Sequence, residues 1–104
     1  MSLAARQQGL DAIGLAHALL RGCWAEERNI ADPATLVAVA EALDLDGKAL
    51  LAMAESAAVA ADYQAETAAA IARGVFGAPT FYYRDEPFWG QDRLDFLDRA
   101  LAAA

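Results

Sequence analysis

Alanine supplies 28 of the 104 residues, and nearly all of them fall before Gly74 or at the C-terminal end. Alanine is the best intrinsic helix former, and its small side chain lets helix axes approach closely. The alanine-rich pattern is interrupted once. GVFGAPTFYYRDEPFWGQDRL, from Gly74 to Leu94, is built of Gly, Pro and aromatic residues and holds a single alanine. A chain with this pattern is mainly α, with one short extended excursion near its C-terminal end.

Apolar spacing predicts the helices. Leu3, Leu10, Ile13, His17, Leu20 and Trp24 follow one another at 7, 3, 4, 3 and 4, one face of a helix over about residues 3–27. NIADPATL then stops and restarts the chain, with Asp32 as N-cap and Pro33 at the first helical position, where its missing N–H costs nothing. Leu36, Ala40 and Leu43 lie on one side of that second helix. Asp46 and Ser56 are the expected caps of two more, the last of which turns Ala60, Tyr63, Thr67 and Ile71 to one face and stops at Gly74.

Beyond Gly74 the period changes. PTFYYR reads as a short strand, RDEP as a turn and PFWG as a second strand. Alternation sends Phe81 and Tyr83 to one face and Tyr82 to the other. GQDRLDFLDRALAAA is a final amphipathic helix, with Leu94, Leu97 and Leu101 on one face beside Phe96. The expected order is four helices, a hairpin and a helix. A two-stranded hairpin is marginal alone and must pack on something.

Composition excludes several classes. Fifteen acidic against eight basic residues give a net charge of −7, which repels phosphate backbones, so no nucleic-acid partner is expected. No apolar run reaches the roughly 18 residues of a membrane span. The start MSLAARQQGL lacks the apolar region of a secretion signal, and the lone Cys23 has no internal disulfide partner, so the expected compartment is the reducing cytoplasm. No spacing of His, Cys, Asp or Glu matches a metal site.

The two stretches GVFGAPTF (Gly74–Phe81) and FWGQDRL (Phe88–Leu94), in that order, are the most specific features of the chain. With the upstream WAEERNIADPATLVAVAEALDLD (Trp24–Asp46), they resemble the 2-hydroxychromene-2-carboxylate isomerases, which group with the kappa-class glutathione transferases in the DsbA-like branch of the thioredoxin fold. The resemblance implies a single partial domain over 1–104. About 1–73 is the family's inserted helical part, and 74–104 is the hairpin and last helix of the thioredoxin-like part. The family's N-terminal βαβ unit, with its serine near the glutathione sulfur, has no counterpart here, so the chain by itself is expected to be inactive.

The resemblance also assigns a site. Pro79 matches the cis-proline of thioredoxin-like folds, and Ala78 stands where relatives pair their backbone with the cysteinyl part of glutathione. Gln91 and Asp92 match the polar residue and aspartate that hold its γ-glutamyl end. The ligands so implied are glutathione and an aromatic carboxylate substrate. Read from the residues alone, Ala78–Pro79 is an ordinary trans bond entering a strand, and Gln91 or Asp92 caps the last helix. No catalytic residue is expected in this chain. Two other functions stay open: part of a DsbA-type thiol–disulfide oxidoreductase, whose cysteine pair would lie elsewhere, and a non-catalytic helical module that buries its hairpin in a homo-oligomer. Cys23 beside Trp24 is expected to be a buried, inert thiol, and His17 a packed or rim histidine.

Overall fold

Aspartates and a serine set most helix starts in the structure, a computed structural model that describes residues 1–103. The elements are α1 (Ser2–Gln7), α2 (Ala12–Trp24), α3 (Pro33–Glu41), α4 (Gly47–Ala54), α5 (Ala57–Ala72), β1 (Thr80–Tyr83), β2 (Glu86–Trp89) and α6 (Leu94–Ala102). A single 3₁₀ turn, Gln91–Arg93, leads into α6. Asp32 accepts the Ala34 N–H at 3.3 Å, Asp46 that of Ala49 at 3.1 Å, and Ser56 that of Val59 at 3.3 Å. Each satisfies a donor that has no partner inside the helix. These three caps stand where the sequence predicts them, and Pro33 opens α3.

The chain divides into two compact units at Glu66/Thr67, inside α5. In the first, α1, α2, α3 and α4 pack around Ala4, Ala5, Leu15, Val39, Ala40, Leu50 and Val59. Leu15 and Leu50 are the largest fully buried side chains, and alanines fill the remaining contacts. The backbones approach closely as a result. A β-carbon on Gly47, at the start of α4, would stand 2.6 Å from the Val37 carbonyl oxygen. At the surface of this unit, Arg6 pairs with Asp62 at 3.0 Å and with Glu66.

Several expectations for the helices are corrected. The single helix over 3–27 is two helices. Gly9, at φ 70°, closes α1, with the Leu10 N–H bonded to the Ala5 carbonyl at 2.9 Å. Asp11 then caps α2 by accepting the Gly14 N–H at 2.9 Å. Five helices therefore precede the hairpin. The buried stripe of α2 is also not the predicted one: Leu15 and Gly22 are buried, whereas Ile13 is 86 % and Trp24 81 % exposed and His17 is not packed. Cys23 is half-buried. Finally, Leu43 lies beyond the end of α3, and α5 buries only Val59 while Ala60, Tyr63, Thr67 and Ile71 are exposed.

The second unit runs from Thr67 onward. Helix α5 ends as predicted at Gly74, whose N–H reaches the Ile71 carbonyl at 2.9 Å while that of Val75 reaches Ala70 at 3.0 Å. These are the paired bonds of a Schellman C-cap. Strands β1 and β2 are antiparallel, with Phe81 opposite Phe88 and Thr80 opposite Trp89. Arg84 and Asp85 both have positive φ, 51° and 64°, the pattern of a two-residue type I′ turn. Tyr82 donates its hydroxyl to the Arg73 carbonyl, and the Arg73 guanidinium lies 4.2 Å over the Tyr82 ring while bonding Asp85 at 3.3 Å. The hairpin is thereby tied to the end of α5. Helix α6 packs on both strands, and Phe88 is the buried residue of this unit.

Candidate functional site

The residues that the resemblance assigns converge on one cleft in the second unit. Ala78, Pro79, Gln91 and Asp92, together with Trp89 and Gly90, line a concavity of about 400 Å³. The hairpin register brings them together. Thr80 stands opposite Trp89, and one step further out the Gly90 N–H bonds the Pro79 carbonyl at 2.9 Å. That bond ends the ladder, so the two chain ends diverge around Ala78 on one side and Gln91 on the other.

The Ala78–Pro79 peptide is cis, as the resemblance implies. Among the described residues, neither backbone group of Ala78 enters a backbone hydrogen bond. Its N–H and C=O are exposed donor and acceptor for an extended ligand. The neighbouring loop is braced from within: Thr80 Oγ1 donates to the Gly77 carbonyl.

The opposite wall is the Gly90–Asp92 turn. Gly90 sits at φ 94°, ψ 149°, a conformation that side chains disfavour. A β-carbon there would lie 2.5 Å from Asp92 Oδ1, so the Asp92 carboxylate occupies the space above the glycine. Neither Gln91 nor Asp92 caps a helix through its side chain: no such bond occurs at the 3₁₀ turn or at α6. The capping expectation is thus corrected. The 3₁₀ turn takes up the backbone groups itself, through the Arg93 N–H to the Gly90 carbonyl at 3.1 Å, and leaves both side chains exposed at the cleft. An amide and a carboxylate beside free backbone groups suit a zwitterionic, peptide-like ligand, with Asp92 placed to meet a cationic amine.

Trp89 and Gly90 are the lining residues that the resemblance did not assign, and Trp89, expected from the sequence to be core and sheet packing, instead stands at the cleft. It is 52 % exposed, and its ring lies 5.1 Å from that of Phe76. On the side of the hairpin facing α6, Trp89 also borders a smaller hollow of about 300 Å³, with Arg93 and Phe96. Alternation along β2 signals which face Trp89 takes, but nothing in the sequence signals that this face borders a cleft. Among the described residues no group of His, Cys, Asp or Glu is placed to hold a metal ion, and no helix is long and apolar enough to cross a membrane.

Comparison with known proteins adds the family context. The family model described as DSBA-like thioredoxin domain matches residues 1–102. A 2-hydroxychromene-2-carboxylate isomerase of Sphingobium xenophagum is 45% identical over 62 residues, which cover 60% of this chain and 32% of that protein. The protein of the same name from Pseudomonas sp. (strain C18) is 42% identical over 66 residues, covering 64% of this chain and 31% of its own length. That of Pseudomonas putida is 43% identical over 63 residues, covering 61% and 31%. The chain thus spans about a third of the length of the curated relatives it matches. No solved structure matches it significantly.

Proposed function

The chain belongs to the DSBA-like thioredoxin domain family, and from that membership we propose that it supplies the peptide-binding side of a glutathione-dependent 2-hydroxychromene-2-carboxylate isomerase. The observation that carries the reading is the convergence of Ala78, Pro79, Gln91 and Asp92 on one cleft. The three relatives share a name that supplies the reaction. In this assignment the Ala78 N–H and C=O pair with the cysteinyl residue of glutathione, and Asp92 pairs with its α-ammonium. Gln91 donates its amide to the neighbouring carboxylate. The bound thiol then adds to the conjugated system of an aromatic carboxylate, a bond rotates, and elimination restores the thiol. The residues described here bind and orient. The group that promotes the thiolate lies outside them, so this chain alone binds glutathione weakly and does not turn over.

The test is a calorimetric titration of the 104-residue chain with reduced glutathione, beside an absorbance assay with a hydroxychromene carboxylate. Weak binding that Asp92→Ala weakens further, without turnover, is the expected result. No detectable binding at millimolar glutathione overturns the site assignment, and turnover comparable to that of full-length relatives overturns the division of labour.

A second reading has its own observation. The two-stranded sheet leaves strand edges unpaired, and Phe76 at 80 % and Trp89 at 52 % exposure stand beside it. Open edges and exposed aromatic surface favour association. The chain is therefore also proposed to self-associate through its hairpin.

A further inference from the structure

The spacing of Ile13, His17, Leu20 and Trp24 marks the inner face of a helix, and the structure turns that face outward. Ile13 is 86 %, Leu20 56 % and Trp24 81 % exposed, and His17 is exposed with them. The core takes the other side of α2, through Leu15 and Gly22. Steps of 4, 3 and 4 keep the four residues in one straight seam, roughly 16 Å long at about 1.5 Å per residue. A seam of this period matches a second helix laid along it. Charge indicates whose helix that is. The chain carries −7, so two copies repel one another over most of their surface. Helix α2, AIGLAHALLRGCW, holds no acidic residue and one arginine, Arg21, which pairs with Glu26 at 3.5 Å. Two copies therefore meet here with little repulsion, and the seam carries no charge by which an unlike partner would be selected.

We propose that the outer face of α2 is a homodimer contact, in which the helices of two copies pair antiparallel. Ile13 of one copy packs against Trp24 of the other, and His17 against Leu20. The antiparallel arrangement sets Arg21 opposite the small Ala16, whereas a parallel one would set Arg21 on Arg21 and His17 on His17. Closing the seam removes roughly 500 Å² from each copy, about 1,000 Å² in all, which is the lower limit for a specific interface. The dimer is accordingly weak, with a micromolar Kd. His17 is the one polar residue in the seam, and a polar group at such a position lowers stability while fixing the register. The contact uses none of the residues of the hairpin association proposed above and stands or falls apart from it.

Sedimentation equilibrium of the full chain tests this, in a background where Phe76→Ser and Phe81→Ser silence the hairpin contact. That background is expected to remain in monomer–dimer equilibrium, with Trp24 emission shifting to the blue as concentration rises. Leu20→Glu added to it exchanges an exposed residue for a good helix former, so the urea midpoint should hold, while a charge in the closed seam should raise the dimer Kd about tenfold or more. His17→Leu should act in the opposite direction and lower Kd about fivefold, a gain that no folding defect can imitate. In the antiparallel register the two Cys23 thiols stand about nine residues apart along the seam, so mild oxidation should not link them. A background that stays monomeric at roughly 100 µM overturns the proposal and leaves the hairpin contact standing. So does a dimer that Leu20→Glu and His17→Leu both leave within about twofold of the background Kd. Rapid trapping through Cys23 overturns the antiparallel pairing.

Discussion

Replacing Gly90 with alanine should damage the second unit in two separable ways. The backbone at this position is at φ 94°, ψ 149°, at the edge of a region that essentially only glycine occupies. Holding an L side chain there costs about 1–3 kcal/mol. For a chain of this size that corresponds to a fall in melting temperature of roughly 5–15 °C. The new β-carbon would also lie 2.5 Å from Asp92 Oδ1 and 3.7 Å from its Cγ, so the carboxylate must leave its place over the cleft. Urea unfolding reports the first effect as a lower midpoint at unchanged m. Glutathione titration reports the second. Asp92→Asn separates them. It leaves Gly90 untouched and alters an exposed side chain, so stability should stay within about 0.5 kcal/mol. Loss of a charged hydrogen-bond partner, worth about 1.5–3 kcal/mol, should still raise Kd about tenfold or more. An alanine at position 90 that unfolds at the parent midpoint would refute the backbone argument. An Asp92→Asn chain that binds as the parent does would refute the role given to the carboxylate.

Two buried helical glycines of the first unit should respond with opposite signs. At Gly47 a β-carbon meets the Val37 carbonyl oxygen at 2.6 Å and its Cα at 2.9 Å, so alanine forces α3 and α4 apart and should cost about 1–3 kcal/mol, read as a lower urea midpoint. At Gly22 the nearest atoms are 3.8 Å and 3.9 Å away, and alanine there should stabilise by about 0.5–1 kcal/mol; a lower midpoint for Gly22→Ala, or an unchanged one for Gly47→Ala, contradicts the packing described. Sedimentation at micromolar concentration should show self-association that a Phe76→Ser, Phe81→Ser pair reduces, and a parent that runs as a monomer without binding a hydrophobic dye removes the oligomer proposal.

Local chemistry alone determined where most of the elements begin and end. Asp32 before Pro33, Asp46 and Ser56 cap their helices because a short polar side chain satisfies free N–H groups without help from distant residues. Gly74 ends α5 for an equally local reason, and the run of aromatics after it forms the hairpin. The candidate site was legible as a pair of motifs, GVFGAPTF and FWGQDRL, and the hairpin register that brings Ala78–Pro79 and Gln91–Asp92 to one cleft follows from the turn between them. The burial of each helix face was not legible. Alanine suits both core and surface, so in a chain this rich in it the larger apolar residues mark the inner face poorly. Leu15 and Gly22 of α2 went inside, and Ile13 and Trp24 stayed out. The break at Gly9 was hidden because the apolar spacing runs unbroken across it, although Gly9 and Asp11 are ordinary stop and start residues. The type I′ turn at Arg84–Asp85 carries no glycine, and it is held by the Arg73–Asp85 and Arg73–Tyr82 contacts instead. Tertiary structure alone decided where the Asp92 carboxylate and the Trp89 indole rest. Both depend on the space left by a missing side chain, at Gly90 and at Gly77, on a neighbouring stretch of chain. A pattern read along the sequence does not contain a distance across it.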